Sequence, residues 1–289
     1  MKKYVIYSAM VGEYDNIHQP SYIDDCFDYI LFSDCAEETQ IGVWYVRRIN
    51  YFNPNRIKVA RWAKTHACQL LPEYEMSVWV DASVDLQDSY VFNKAISLYK
   101  QGVNIATMTH SKRDCIYDEM FAVFKSGYEE IDVLAKWHKK LERELYPRHN
   151  GLSETTLVYR AHNDMVLSFE SEWWNCIERY SRRDQLSFNY VAWRLKISVQ
   201  NLLEAGENVI SSRHFNVIPH KGNATKIVSE GKNIFRLLRY YATIENGDAK
   251  LREVYEKLCV SKFPSVKLVC RAQLARCVMN VSHRLMRRG

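Results

Sequence analysis

An apolar run of strand length ends abruptly in acidic and hydroxyl side chains; it reads Ser77-Val78-Trp79-Val80-Asp81-Ala82-Ser83-Val84-Asp85. In open α/β sheets, ligands gather at the carboxyl ends of strands, which is where Asp81 falls. A carboxylate there can hold a divalent cation against a diphosphate, and the cation neutralises charge on the leaving group. An aspartate that caps the turn after a strand would give the same pattern. The run therefore makes Asp81 a candidate ligand, with a turn residue as the alternative.

Two cations occupy a predicted helix that begins at Pro54-Asn55 and runs to about Leu71. Arg56 and Lys64 lie two turns apart, close enough to one face to reach a single ligand. Cations are needed to bind a diphosphate tightly, and arginine adds a forked donor geometry. The alternative is that both are solvated charges, although Arg56 stands at the helix start, where a cation gains nothing from the helix dipole.

Five short motifs follow one another along the chain. They are Tyr7-Ser8-Ala9-Met10-Val11-Gly12-Glu13-Tyr14-Asp15, Asn53-Pro54-Asn55-Arg56 with Lys64, Trp79-Val80-Asp81-Ala82-Ser83, His110-Ser111-Lys112-Arg113-Asp114-Cys115-Ile116-Tyr117-Asp118-Glu119, and Arg183-Asp184-Gln185-Leu186-Ser187-Phe188. In this order they resemble the glycosyltransferase-like family shared by plant mucilage-related proteins and proteins from bacterial polysaccharide clusters. The resemblance covers residues 4–195.

The resemblance implies a GT-A type fold, in which one nucleotide-binding α/β domain carries an Asp-x-Asp element for metal and donor diphosphate. Asp81 matches the first aspartate of that element, whereas Ser83 stands where the second would be. Serine is a poorer ligand than a carboxylate for the implied Mn²⁺ or Mg²⁺. Asp85 or a more distant residue would have to compensate.

Three further acidic residues have roles only through the resemblance. It implies an active-site loop after residue 109, in which Arg113 and Asp114 touch donor or acceptor and Glu119 is structural or catalytic. Without the family match, a solvated loop would look the same. Asp184 opens a predicted helix, where it either caps the amino end or faces the reacting sugars as a catalytic group. Gln185, beside it, is expected to contact the donor.

A second metal candidate lies in Pro219-His220-Lys221-Gly222-Asn223-Ala224-Thr225-Lys226. This segment looks like the His-x-x-Gly-x-x-Lys element of glycogenin-like GT-A enzymes, in which the histidine binds metal and the lysine binds phosphate. The spacing here is one residue off. His220 and Lys226 are therefore expected to contact metal and donor, and an ordinary loop histidine is the alternative.

The elements that must position these residues alternate between extended and helical patterns in the first half, which predicts an α/β fold with a mixed sheet flanked by helices. Strands are predicted at 3–11, 28–33, 44–49, 76–81, 104–109 and 155–160, and further helices at 89–101, 129–145, 165–180 and 184–195. The simplest division is a catalytic domain over 1–230 and a helical extension over 231–289.

The charge is unevenly distributed along the chain. The formal net charge is +6, yet seven basic residues and no acidic one fall within 262–289, which leaves the preceding chain close to neutral. Apolar residues from Val266 to Arg288 lie largely on one helical face, as in a helix that binds an anionic membrane surface. A helix docked on the body or on a partner is the alternative. The near-neutral body argues against nucleic-acid binding.

The eight cysteines form no C-x-x-C pair, and the first apolar segment, residues 4–11, is too short for a signal peptide. Both features favour a cytoplasmic protein, and the basic amphipathic tail predicts that it is peripheral at the inner face of the membrane. The expected function is transfer of a sugar from a nucleotide-sugar donor to a polysaccharide or lipid-linked glycan of capsule, O-antigen or lipopolysaccharide type. The alternative is a catalytically silent, membrane-tethered scaffold that binds glycan or nucleotide.

Overall fold

The computed structural model describes residues 2–12, 18–35, 37–204 and 207–218. These residues fall into two compact units. One contains the residues up to 116 together with those from 147 onwards, and the other includes residues 117–146. The predicted boundary near residue 230 and the predicted basic helix beyond Val266 lie outside the described residues.

Ten strands and seven helices lie within the described ranges. The strands are β1 Tyr4–Met10, β2 Phe27–Ser33, β3 Gln40–Ile41, β4 Trp44–Arg48, β5 Met76–Val80, β6 Val84–Leu86, β7 Ile105–Thr109, β8 Ser153–Ala161, β9 Val199–Asn201 and β10 Phe215–Val217. The helices are α1 Arg56–Lys64, α2 Ala67–Leu70, α3 Tyr90–Lys100, α4 Ile116–Lys125, α5 Ile131–Arg143, α6 Asp164–Arg179 and α7 Gln185–Leu195.

Eight strands form one mixed sheet in the order β3-β4-β2-β1-β5-β8-β7-β9. The four adjacent strands β4, β2, β1 and β5 run parallel to one another, whereas β8 is antiparallel to both β5 and β7. A small second sheet pairs β6 with β10. The predicted α/β class, with a mixed sheet flanked by helices, is confirmed.

The central strands carry nearly continuous apolar runs because both faces of the sheet are covered. All five residues of β5 are buried, as are the five internal residues of β1. Parallel strands buried on both faces show this continuous pattern rather than alternation. Because β2, β1 and β5 are neighbours with the same direction, their carboxyl ends at Ser33, Met10 and Val80 lie at one edge of the sheet. Asp81 follows directly, as predicted.

The prediction of one helix from Asn55 to Leu71 is wrong, since α1 ends at Lys64 and α2 begins at Ala67. In a continuous helix the Cys68 N–H would donate to the Lys64 carbonyl. Here that N–H donates to Glu170 Oε2 at 3.0 Å, and the carbonyl accepts from Arg160 Nη1 at 2.7 Å. Side chains distant in sequence therefore replace a hydrogen bond of the helix.

Two smaller differences concern the rest of the chain. The segment after Thr109, expected to be a loop through Glu119, becomes helical at Ile116, where α4 begins. The strand predicted at 155–160 extends over Ser153–Ala161. Among the described residues, no helix is both long and apolar enough to cross a membrane.

Candidate functional site

A cleft opens at the edge of the sheet where β1 and β5 end. Side chains from the ends of both strands contribute, together with the turn into β6 and the segment after residue 17. The lining residues are Ser8, Met10, His18, Gln19, Leu31, Trp44, Val80, Asp81, Ala82, Val84 and Asp85. The cleft thus combines apolar walls with a few polar groups, which is the usual character of a small-molecule site.

Asp81 presents one engaged and one unengaged carboxylate oxygen. Its Oδ1 accepts hydrogen bonds from Trp79 Nε1 at 2.6 Å and from Lys64 Nζ at 3.4 Å. Within the described ranges no hydrogen bond reaches Oδ2, and 29% of the side chain is exposed. The turn after β5 is closed by backbone groups, with Val84 N–H donating to the Asp81 carbonyl. The side chain is therefore not needed for the turn and is available to a ligand.

Lys64 is a buried cation between two carboxylates. Its ammonium lies 2.6 Å from Asp184 Oδ2 and 3.4 Å from Asp81 Oδ1, with only 1% of the side chain exposed. Burial lowers the pKa of Lys64, although the nearby Asp184 and Asp81 carboxylates act in the opposite direction. Lys64 does not itself line the cleft, so it acts on the site through Asp81.

Asp184 occupies the N-cap position of α7, yet its carboxylate makes no capping hydrogen bond. Oδ2 accepts from Lys64 and, at 2.7 Å, from Thr155 Oγ1, while Oδ1 lies 3.0 Å from Arg61 Nε. Burial alone would raise the pKa of Asp184, but Arg61 and Lys64 outweigh it and hold the pKa well below its usual range. Asp184 is thus a buried, permanently ionised carboxylate at neutral pH.

Arg61 and Thr155 belong to this network, and sequence reasoning missed both. Arg61 precedes Lys64 by three residues, a spacing that places two side chains on one face of a helix. The spacing of Arg61 and Lys64 is therefore a sequence signal for this pair, whereas the longer spacing from Arg56 to Lys64 joins one exposed and one buried side chain. Thr155 comes from β8 and carried no local signal.

The structure does not bring Arg56 and Lys64 to one buried site. Lys64 is buried, but Arg56 is exposed and donates from Nη1 to the Gly12 carbonyl at 3.2 Å. Gly12 has φ +71° and donates its N–H to Asp34 Oδ1 at 2.8 Å. Arg56 therefore supports the backbone at Gly12, two residues beyond the end of β1, and an added Cβ at Gly12 would collide with its guanidinium.

Ser83 and Asp85 are the two candidates for the second ligand of the Asp-x-Asp element, and they differ in whether the side chain is free to bind a cation. The Ser83 carbonyl accepts from Ile218 N–H, and its hydroxyl has no hydrogen bond within the described part of the chain. Both oxygens of Asp85 are engaged, Oδ1 by the Ser21 N–H and Oδ2 by Ser21 Oγ and Gln87 Nε2. Asp85 therefore holds the segment opposite it and is not free to replace the missing aspartate.

A buried hydroxyl in the cleft was also missed. Ser8 Oγ is buried near the end of β1, and none of the described residues is a hydrogen-bond partner for it. The serine is part of the first motif, but a sequence cannot tell whether a hydroxyl is paired.

The other predicted site residues that the structure describes are not among the residues that line this cleft. Asp114 is exposed and its Oδ1 lies 2.9 Å from His149 Nδ1, while the Arg113 N–H donates to His110 Nδ1. Gln185 accepts from Arg183 at 3.5 Å. Glu119 is buried on α4 within the second unit. His220 and Lys226 lie outside the described residues. Across the ranges that the structure covers, no three His, Cys, Asp or Glu side chains are grouped to hold a metal.

Comparisons with known proteins match most of the chain. A family model described as TOD1/MUCI70, glycosyltransferase-like domain, matches residues 1–220. Alkaline ceramidase TOD1 of Arabidopsis thaliana is 23% identical over 259 residues, which cover 73% of this chain and 53% of that protein. Probable hexosyltransferase MUCI70 of the same plant is 24% identical over 217 residues, or 65% of this chain and 36% of that protein.

The chain thus spans about half the length of the first of these relatives and about a third of the second. Among solved structures, the apo structure of the WbbM bifunctional glycosyltransferase superimposes on 69% of this chain and 38% of its own, at 10% identity and a TM-score of 0.40. All the residues that line the cleft fall inside the range that the family model matches.

Proposed function

This chain belongs to the TOD1/MUCI70 glycosyltransferase-like domain family, and on that premise we propose that it transfers a sugar from a nucleotide-sugar donor held in the cleft at Asp81. The name of one relative, probable hexosyltransferase, supports a hexose as the sugar. The proposed acceptor is a growing polysaccharide or a lipid-linked glycan of capsule, O-antigen or lipopolysaccharide type.

Unsatisfied polar groups in the cleft carry the proposal. Asp81 Oδ2 and the buried Ser8 Oγ both lack hydrogen-bond partners among the described residues. Buried polar groups in native proteins are nearly always paired, so an unpaired one beside a cleft supports a ligand there. Trp44 and Met10 add an apolar wall of the kind against which a nucleotide base packs.

The charges behind Asp81 suit the departure of a nucleoside diphosphate. Lys64 contacts Asp81 Oδ1 and leaves Oδ2 available to a ligand. The Lys64 ammonium lies behind Asp81, 3.4 Å from Oδ1. Preorganised charge of this kind stabilises negative charge that develops on the diphosphate as the sugar leaves. Asp184 is ionised far below neutral pH and is therefore a weak base. In this proposal Asp184 holds Lys64 and Arg61 in place rather than accepting a proton.

A divalent cation, Mn²⁺ or Mg²⁺, is part of the proposal. Magnesium is commonly bound in proteins by one or two carboxylates together with substrate phosphates and water. The unengaged Oδ2 of Asp81 and the Ser83 hydroxyl fit such a minimal set, and Asp85 does not contribute. When bound, the cation would neutralise charge on the leaving diphosphate.

The proposed membrane attachment rests on the sequence of residues 266–288. Their cations and apolar positions suit a helix lying at an anionic surface, as on the inner face of a membrane. Such attachment would bring the cleft to a lipid-linked acceptor.

A substrate panel tests the proposed function. The protein is incubated with UDP-, GDP- and CDP-linked hexoses, with Mn²⁺, Mg²⁺ or a chelator, and release of nucleotide is followed; ceramide is included because one relative is named a ceramidase. We expect metal-dependent nucleotide release from one donor, increased by acceptor glycan. Hydrolysis of ceramide, with every nucleotide sugar left intact, would contradict the proposal. Tight binding without turnover would favour the scaffold alternative.

A further inference from the structure

The break between α1 and α2 is filled by a buried ion pair. Arg160 Nη1 lies 2.8 Å from Glu170 Oε1, and the two side chains are 0% and 1% exposed. Arg160 donates to the Lys64 carbonyl, and the two Glu170 oxygens accept from the N–H groups of Ala67 and Cys68 at 3.1 and 3.0 Å. At the break, the Arg160 cation donates to the carbonyl that has lost its helical partner, and the Glu170 anion accepts from the two N–H groups that have lost theirs.

A third buried group completes this anchor. Tyr7 Oη donates to the Lys64 carbonyl at 2.9 Å and is itself hydrogen-bonded by Arg160. The Lys64 backbone is therefore held from two directions at the last residue of α1. Its ammonium, at the other end of the same residue, contacts Asp184 and Asp81.

Stability alone does not account for this arrangement. Burying two charges costs several kcal/mol per ion in desolvation, and well-packed apolar side chains of similar volume are often at least as stabilising. With apolar residues there, a continuous helix would satisfy its own backbone groups. The Arg160–Glu170 pair instead keeps the helix interrupted directly after Lys64, the residue whose side chain contacts Asp81.

We propose that Arg160 and Glu170 are positioning residues, which fix the backbone of Lys64 so that its ammonium lies between Asp184 and Asp81. The effect on donor binding rests on the proposed function, whereas the placement of Lys64 does not. Lysine has a flexible four-carbon stem, so the position of its backbone limits where the ammonium can lie. A displacement of about 1 Å in a reacting site can cost about a hundredfold in rate.

The Arg160→Met/Glu170→Met double variant tests the placement directly. It removes both charges together, so no unpaired buried charge is left to unfold the protein. Folded samples are treated with acetic anhydride, and acetylation of Lys64 is measured by mass spectrometry relative to the exposed Lys100. We expect Lys64 to be protected in the natural protein and severalfold more reactive in the double variant. The matched control is Leu98→Ala, a core truncation on α3 that leaves these contacts intact.

A second variant and a second measurement complete the test. Glu170→Gln keeps the volume of the side chain. We expect it to increase the acetylation of Lys64, as in the double variant, and this result does not require the double variant to fold. Both variants should bind the preferred nucleoside diphosphate, with Mn²⁺, about tenfold or more weakly, as for other supporting residues. Unchanged protection of Lys64 in both folded variants would overturn the positioning role. If Lys64 becomes reactive as expected but the natural protein binds no nucleoside diphosphate, the proposed function fails and the positioning role stands.

Discussion

Lys64 Nζ lies 2.6 Å from Asp184 Oδ2, although the two residues are 120 positions apart in the sequence. The contact joins the end of α1 to the start of α7 and sets the charge behind Asp81. Both groups are buried, so each needs counter-charges nearby: Asp184 contacts Lys64 and Arg61, and Lys64 contacts Asp184 and Asp81. The first two predictions test this dependence.

Asp184→Asn should lower turnover more than it raises the KM for the donor. The amide keeps the shape but leaves Lys64 and Arg61 without their shared counter-charge, so the Lys64 ammonium is no longer fixed beside Asp81, which affects the transition state more than donor binding. The free energy of unfolding should also fall by about 3 kcal/mol, because a buried ion network is broken from one side. Steady-state kinetics and urea unfolding measure the two effects. Thr155→Val is the control, since it removes a hydrogen bond to Asp184 but no charge. A variant with lower stability and normal turnover would reduce Asp184 to a structural role.

The stability that Asp184 contributes should depend on pH with a definite sign. An aspartate in the unfolded chain has a pKa of about 4, whereas the folded pKa of Asp184 is lower. A group of this kind contributes stability that is fully present above the unfolded pKa and lost as pH falls through the folded pKa. Urea unfolding of the natural protein and of Asp184→Asn should therefore give a difference that is constant near neutral pH and shrinks below about pH 4. A difference that does not change with pH would contradict the lowered pKa of Asp184, because it would mean that folding leaves this pKa unchanged.

Ser8→Ala should weaken nucleotide binding without destabilising the protein. Removing an unpaired buried hydroxyl costs the fold nothing, but a hydrogen bond to a ligand is worth about 1 kcal/mol, or a several-fold change in Kd. Calorimetric titration with the nucleoside diphosphate that binds best, beside thermal unfolding, checks both parts. Ser77→Ala is the matched control, because Ser77 Oγ is bonded to His162 Nε2. It should lose stability and keep its affinity. The same outcome for Ser8→Ala would remove Ser8 from the site.

Deletion of residues from Ser265 onward should move the protein from the membrane fraction to the soluble fraction. Transfer to a short, water-soluble acceptor should remain, because the residues assigned to the chemistry precede the deletion. Binding of the full chain to anionic vesicles should weaken with salt, since exposed charges are screened within about 8–10 Å at physiological ionic strength. If the protein without the deletion stays in the soluble fraction and does not bind anionic vesicles at low salt, the membrane proposal is contradicted.

The sequence predicts the fold class and the position of Asp81 because both depend on local patterns. The buried run before Asp81 is continuous and apolar, and it becomes the central strand β5. The helix break at Lys64 has no such pattern, since residues 56–70 contain no Gly or Pro that would mark the end of a helix. It depends on Arg160 and Glu170, which reach it from β8 and α6.

The charged network of the site also depends on residues that are distant in sequence, so spacing along the chain does not predict it. Arg56 and Lys64 share a helix, yet only Lys64 is buried, because the face that meets Asp184 also contains Arg61 and excludes Arg56. Whether Ser8 is paired, or Asp85 already engaged by Ser21, depends on residues brought together by the fold. Spacing alone identifies none of these relationships.

Replacement of Asp81 by asparagine is the most direct test of the account. Asp81→Asn removes one charge and almost no volume at the end of β5, and Asp164→Asn removes the same charge from an exposed position on α6. Transfer from the active donor is measured for both variants and for the natural protein, with circular dichroism to confirm the fold. The account predicts that Asp81→Asn is folded and inactive while Asp164→Asn transfers normally. A folded Asp81→Asn protein with near-normal turnover would contradict the account, since Asp81 would then be a turn residue and the donor site would lie elsewhere.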